Sequence, residues 1–375
     1  MSKVKIEGHG TGTGTFTVTT PSSNTDRTIT LPDSTGTILD NTSTLDATKL
    51  SGNLPAISGA NLTSLPVQKI NPNILINGGF EFAQRGTTIS GIGSAKYTLD
   101  RWEATSSGAD STVEQVSGDT YPKALRLTGA GSTTATYLKQ KIESINSRHL
   151  AGGTATFSVY LKASTSINID FYIGYASGGT DNFSGTTGIA STTFSVTTTE
   201  TKFTWTGSIP SAATTGIQVL LKINSQGSAW YQALNAKLET GSTATDFQYR
   251  SYGEELALCQ RYHHRIGGGG DTTILMTTAP STTECAMHVQ LPTVMRAKPS
   301  ISWTNTGASM AFRYAGNNST AFTPSAVNSL NLGEFTNTGG SIWFSGFNHG
   351  QTSNGAGHIR TGSGQTNYLQ FDAEL

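Results

Sequence analysis

The chain has 375 residues, 43 of them glycine, with 13% charged and 35% hydrophobic side chains. Ordinary soluble domains carry about 25% charged residues, and helix surfaces draw on Glu, Lys, Arg and Ala, so the composition excludes a helical bundle and favours pleated surfaces joined by turns. Lysine plus arginine and aspartate plus glutamate balance at 24 each, which leaves no field to gather nucleic acid, and no run of about 18 apolar residues is present for membrane insertion.

The start, MSKVKIEGHG, lacks an apolar leader, so a soluble chain made without a cleaved signal is expected. Residues 1–72 contain short strand-like runs, FTVTT (16–20) and RTITL (27–31), between turn residues. Further on, Leu45, Leu50, Leu54, Ile57, Leu62 and Leu65 recur with neither a helix period nor an alternation. A segment this thin buries its leucines only against copies of itself, so a neck between identical chains is expected; a flexible linker is the other reading.

A different texture runs over 73–249. In ATFSVYLKA (155–163), Phe157, Val159 and Leu161 alternate, and Ile167, Ile169, Phe171, Ile173 and Tyr175 do so in the next stretch. Ile217, Val219, Leu221 and Ile223 form a further inward row, and Trp230, Leu234, Ala236 and Leu238 another. Such strands, joined by Gly/Ser/Thr turns, predict an antiparallel jelly-roll sandwich.

Residues 250–270 predict a linking helix and a glycine hinge. Ser251 and Glu254 match a capping box, Glu254 and Glu255 face the positive helix end, and Leu256, Cys259, His263 and Ile266 share a stripe, so a helix over 251–266 ended by the glycine run 267–270 is expected. His263 should then be packed and His264 outward. From 271 to 375 the chain is β-like again, with ISW (301–303), SIWFSGF (341–347) and NYLQFDAEL at its end, and a small sandwich is expected. Cys259 and Cys285 are expected as free, buried thiols. With His263, His264 and His288 they lack the paired spacing of a zinc knuckle. The fold class is therefore mostly β: a thin β neck, a jelly-roll sandwich, one short helix and a small C-terminal sandwich.

Groups of motifs, in this order, carry a resemblance. TITLPDSTGTIL (28–39) is similar to the first segment of many bacteriophage tail fibres, where it precedes a trimeric neck. NILINGGFEFAQRGT (73–87), DRW (100–102) and KLETGSTATDFQ (237–248) resemble the first and last strands of carbohydrate-binding-module-like jelly rolls carried by such fibres. EELALCQRYHHR, LPTVMRAKP and FDAEL are similar to the C-terminal portion of the same virion adhesins. The resemblance implies a homotrimer joined through Leu45, Leu50, Leu54, Ile57, Leu62 and Leu65, docked on other virion proteins by its N-terminal part and displayed on the phage particle, where it binds a host-surface glycan. A purely structural virion appendage is the alternative.

Outward positions of the jelly-roll strands supply the candidate glycan residues: Tyr160, Lys162, Asp170, Tyr172, Gln218 and Lys222, with Asn168 beside them. Aromatic rings stack on pyranose faces, and amide, carboxylate and ammonium groups bond the hydroxyls. An ordinary solvated sheet face is the plain reading of the same residues. In the resembled modules the residue matching Glu81 helps hold a structural calcium ion with backbone carbonyls and a last-strand carboxylate. Here that strand reads Leu234-Asn235, which weakens the calcium set; pairing of Glu81 with Arg101 is the alternative. No nucleophile with a base and no paired carboxylates stand out, so no catalytic residue is assigned and a non-enzyme is expected.

Overall fold

The computed structural model describes residues 10–15, 17, 22–26, 28, 72–224, 226–267, 273–279, 281, 283–304, 310–314, 319–322, 329–345, 355–361 and 368–375. The six leucine and isoleucine positions of the expected neck, and the strand-like runs at 16–20 and 27–31 apart from Thr17 and Thr28, lie outside the described residues, as does most of the expected glycine hinge. The chain divides into two compact units, Met1–Leu65 and Pro66–Leu375; the fold below belongs to the second.

Its first part is the expected antiparallel sandwich. In chain order the strands are β1 (Thr88–Ile92), β2 (Lys96–Tyr97), β3 (Glu103–Ser107), β4 (Ser111–Val116), β5 (Ala124–Thr128), β6 (Ala135–Ile142), β7 (Thr154–Ala163), β8 (Ile167–Ala176), β9 (Thr186–Val196), β10 (Thr201–Ser208), β11 (Ile217–Asn224) and β12 (Trp230–Thr240), with a short helix α1 (Ser144–Ser147) after β6. They form two six-stranded sheets: sheet I in the order β1-β4-β5-β12-β7-β10 and sheet II in the order β2-β3-β6-β11-β8-β9. Alternation decides what lies between them. Phe157, Val159 and Leu161 from sheet I meet Ile169, Phe171, Ile173 and the β11 row Ile217, Val219, Leu221 and Ile223 from sheet II, all buried. Phe157 and Phe171 stack with ring centroids 4.4 Å apart. Each such side chain contributes about 1.5–3 kcal/mol by leaving water.

One expected row is corrected. In β12 the core positions are Tyr231 and Ala233, followed by Ala236 and Leu238. Trp230 instead lies outside with the Arg126 guanidinium over its ring at 4.8 Å, and Leu234 pairs with the outward Tyr160. The register between β12 and β7 shifts between Leu234 and Lys237, and Asn235 within the shift takes a positive φ of 47°. A bulge with an extra residue swaps the side each later residue faces, which strict alternation misses.

The helix is also shorter than expected. α2 spans Tyr252–Gln260, and residues of the expected last turns form strand β13 (His263–Gly267). The Ser251 hydroxyl accepts the Glu254 N–H at 3.3 Å, the N-cap half of the capping box. The other end is lost because His263 to Gly267 pair antiparallel with β22 (Tyr368–Asp372), a partner invisible to a local reading. His263 is 1% exposed, while His264 is half-buried with its ring stacked on Phe371, 6.2 Å between centroids, rather than fully outward.

The remaining strands are β14 (Thr273–Ala279), β15 (Glu284–Gln290), β16 (Ser300–Thr304), β17 (Met310–Tyr314), β18 (Ser319–Phe322), β19 (Ser329–Phe335), β20 (Gly339–Ser345) and β21 (Gly355–Thr361). They give a three-stranded sheet, β13-β22-β16, and a seven-stranded sheet, β18-β17-β21-β14-β15-β20-β19. Leu369 and Phe371 of the smaller sheet share a core with Met287, Val289, Ile342 and Phe344 of the larger, so the C-terminal part is a sandwich as expected. Cys285 lies in this core and Cys259 in a separate cluster with Ile76, Phe82 and Tyr262; both are free, buried thiols.

The two sandwiches are joined by charge. The Arg101 guanidinium, 1% exposed, pairs with the Glu374 carboxylate, donates to the Lys141 carbonyl at 2.6 Å and lies over the Tyr262 ring at 3.5 Å. Arg85 bridges Asp372 at 2.8 Å and Glu374 at 3.2 Å. The Tyr97 hydroxyl and the Lys141 ammonium each donate to the Leu375 carbonyl at 2.7 Å. The DRW segment and the end of FDAEL are thus two halves of one buried clamp.

Candidate functional site

The outer faces of the two sheets differ. Sheet I is partly roofed by the chain leaving β12. Lys237 and Glu239, which face outward, are fully buried because the Lys237 ammonium donates to the Thr245 hydroxyl and the Asp246 carbonyl, and Glu239 accepts the Thr245 N–H and hydroxyl at 2.9 and 2.6 Å. On sheet II, among the described residues, the hydrogen bonds and ring contacts of Asp170, Lys222 and Tyr137 stay within the face.

Register builds that face in rows. Pairing of β6, β11, β8 and β9 places Tyr137, Lys222, Asp170 and Thr193 side by side, and Lys139, Leu220, Tyr172 and Ser191 in the next row. Lys141, Gln218 and Gly174 follow. The Lys222 ammonium stands 5.5 Å from the Tyr137 ring centroid. Asp170 accepts the Thr193 hydroxyl at 2.7 Å and the Asn224 amide at 3.0 Å, so its carboxylate is fixed by two donors on the same face. A depression of about 420 Å³ lies beside Tyr172, Gly174, Gly188, Ser191, Gln218 and Leu220, and another of about 410 Å³ beside Asn168, Asp170, Thr193 and Asn224. Tyr172 and Asp170 stand between them.

Four candidate residues, Asp170, Tyr172, Gln218 and Lys222, therefore share one face. Tyr160 and Lys162 do not: they belong to β7 in sheet I, on the opposite side of the molecule. There Tyr160 packs edge-on against Tyr121 at 5.0 Å, and Lys162 pairs with Asp119 at 2.6 Å. Alternation identifies an outward residue without naming its sheet. Tyr137 and Lys139 on β6 are face residues missed by the sequence reading, although YLKQKI alternates as clearly as the strands that were read.

The calcium set keeps Glu81 as its carboxylate, with Asn235 where the second would stand. Glu81 is exposed, and Arg101, its expected alternative partner, is engaged by Glu374. The Phe80 and Glu81 carbonyls accept the Gln115 amide at 2.7 and 2.9 Å. Asn235 accepts the Tyr249 hydroxyl at 3.0 Å. One carboxylate with backbone carbonyls that each accept an amide is a weaker set than several carboxylates, and among the described residues no group of three or more His, Cys, Asp or Glu side chains is placed to hold a metal.

No protein-family model matches the chain, and no curated protein matches it. Solved structures align with parts of it. One described as "CBM4 structure and function" is 18% identical over 44% of this chain and 98% of its own, with a TM-score of 0.30. A xylan-binding domain from Paenibacillus barcinonensis is 12% identical over 46% and 97%, TM-score 0.29. The enzymatically active domain of bacteriophage CBA120 tailspike protein 4 is 14% identical over 45% and 21%, TM-score 0.30.

Proposed function

We propose that the chain is a non-catalytic fibre or spike component of a phage particle that recognises a glycan on the host surface. The supporting observation is the face of sheet II, where Tyr172 and Tyr137 alternate with Lys222, Asp170 and Gln218 between shallow depressions. Rings held by a rigid sheet supply stacking surfaces at low entropic cost, and the flanking polar groups suit hydroxyls. Open depressions suit an extended oligosaccharide. The carboxylates beside these rows, Asp170 and Glu103, the latter set opposite Lys139 by the pairing of β3 with β6, are both engaged, Glu103 by Lys139 at 2.7 Å and Lys141 at 2.9 Å; glycoside hydrolysis by a carboxylate pair needs an acid and a base free to act on one bond. On this reading residues 1–72 form the attachment and trimerisation neck.

A glycan array probed with the full chain tests the proposal. Tyr172→Ala and Lys222→Ala should weaken binding of any positive glycan about tenfold, or about 1.4 kcal/mol, with no change in melting temperature. Absence of binding to glycans and host cells would leave a spacer role instead, and a monomer by light scattering would refute the neck.

A further inference from the structure

We propose that the cleft between the turn at 77–82 and the segment 247–255 is a second saccharide site, one that holds a single terminal pyranose that is uncharged or carries an ammonium group. The proposal rests on the glycan-recognition reading for its ligand class, but on different residues from those of sheet II. The cleft is about 320 Å³ and is lined by Gly79, Glu81, Pro122, Phe247, Tyr249 and Tyr252, among others. That volume lies at the lower end of the range of about 300–1,000 Å³ for small-ligand pockets, the size for one sugar ring rather than a chain.

Aromatic rings are presented here ready-made. Phe247 and Tyr249 pack edge-on with centroids 4.9 Å apart, and Phe82 and Tyr252 lie tilted at 49° with centroids 4.8 Å apart. Tyr249 and Tyr252 remain 48% and 71% exposed and, among the described residues, are two of the few large apolar side chains left in water. Tyr249 is anchored by its hydroxyl, which donates to Asn235 Oδ1 at 3.0 Å. Gly79 lets the ring lie close to the backbone, since a Cβ there would come within 3.2 Å of Tyr249 Cε1 and press on the ring. A ring fixed in position but uncovered is what stacking on a pyranose face needs.

The polar lining narrows the ligand further. Asn77 is used up by the Phe82 and Asp100 carbonyls and the Phe82 N–H. Arg250 is held by Glu255 at 2.8 Å and by the Asn73 and Leu75 carbonyls, and Glu255 also accepts the Asn77 N–H. Among the described residues that line the cleft, the exposed Glu81 carboxylate keeps unused capacity; burial, and after it the Glu81 charge, raise the Tyr249 pKa. An acceptor-only carboxylate calls for hydroxyl or ammonium donors, and the lining charges of Glu81, Glu255 and Arg250 leave one net negative charge, which disfavours uronic and sialic acids.

The test uses the full chain and saturation-transfer NMR with a panel of neutral hexoses, N-acetylhexosamines, glucosamine and glucuronate. A neutral or amino sugar should bind, lose at least about tenfold in affinity in Tyr249→Ala and Tyr252→Ala, and weaken in Glu81→Gln, while Tyr172→Ala leaves it unchanged. Tyr252 is 71% exposed, so its replacement should leave the melting temperature nearly unchanged, which calorimetry on the variant checks. Sugar binding that responds to Tyr172→Ala but to neither cleft tyrosine would overturn the cleft and keep the sheet II reading; preference for glucuronate, or no bound sugar in the panel, would also overturn it.

Discussion

Replacing Glu374 by alanine removes the carboxylate that neutralises Arg101. The guanidinium would remain 1% exposed, with the Lys141 carbonyl at 2.6 Å and the Tyr262 ring at 3.5 Å as its remaining partners, and with Nε already unbonded. Arg85 would lose one of its two short carboxylate contacts as well. Breaking a buried ion pair from one side costs about 3–5 kcal/mol, because the surviving charge is neither solvated nor paired. At about 2 °C per kcal/mol for a large domain, Glu374→Ala should lower the melting temperature by roughly 6–10 °C, read by differential scanning calorimetry. The double replacement Arg101→Met with Glu374→Leu removes both charges and should recover most of that loss, since apolar packing of similar volume is often as stable as a buried pair. A shift below about 1 °C for Glu374→Ala, or a double variant as unstable as the single one, would refute the view that this pair holds the two sandwiches together.

Phe171→Ala, which empties the centre of the jelly roll beside Phe157 at 4.4 Å, should cost about 3–5 kcal/mol in urea unfolding; a loss under about 1 kcal/mol would show a site that collapses freely. Burial lowers the pKa of His263 from 6.5, and that of His264 from 6.5 to about 4, the latter aided by the charge of His263. The unfolded chain therefore takes up protons first, so stability should be full above about pH 6.5 and fall as pH drops toward 4. Arg85, Asp372 and Asp100 face His263; Asp100, whose pKa burial raises, offsets part of the fall, and Asp372, lowered chiefly by its contact with His263 and by Arg85, adds to it only at still lower pH. Urea midpoints at pH 7, 5.5 and 4.5 check this, and His264→Phe should flatten the curve. Burial raises Cys285 to about 12 and Cys259 well above 9, so neither thiol should react with a disulfide reagent at pH 8 until the protein unfolds.

Several features were legible in the sequence because they are local. The rows on β7, β8 and β11 follow from period-two apolar alternation, which places one set of side chains on one face whatever the strand's neighbours. The start of α2 was legible because a serine hydroxyl caps amides within its own first turn. Tertiary structure decided what alternation leaves open. Tyr160 and Tyr172 both point outward, but strand order puts them on opposite sheets, and pairing partners are set by the whole sandwich rather than by either strand. The bulge at Asn235 reverses part of β12 for the same reason, since an extra residue is defined only against the strand it pairs with. His263 to Gly267 carry a helix-like stripe, but the ladder to Tyr368–Asp372 outweighs a weak local preference with hydrogen bonds from a distant segment. The aromatic cleft is of this kind too: its rings come from the turn before β1 and from the chain after β12, brought together where residues 74–78 bond to β12, with the Ile74 N–H on the Leu238 carbonyl at 2.8 Å and the Ala236 N–H on the Gly78 carbonyl at 2.9 Å.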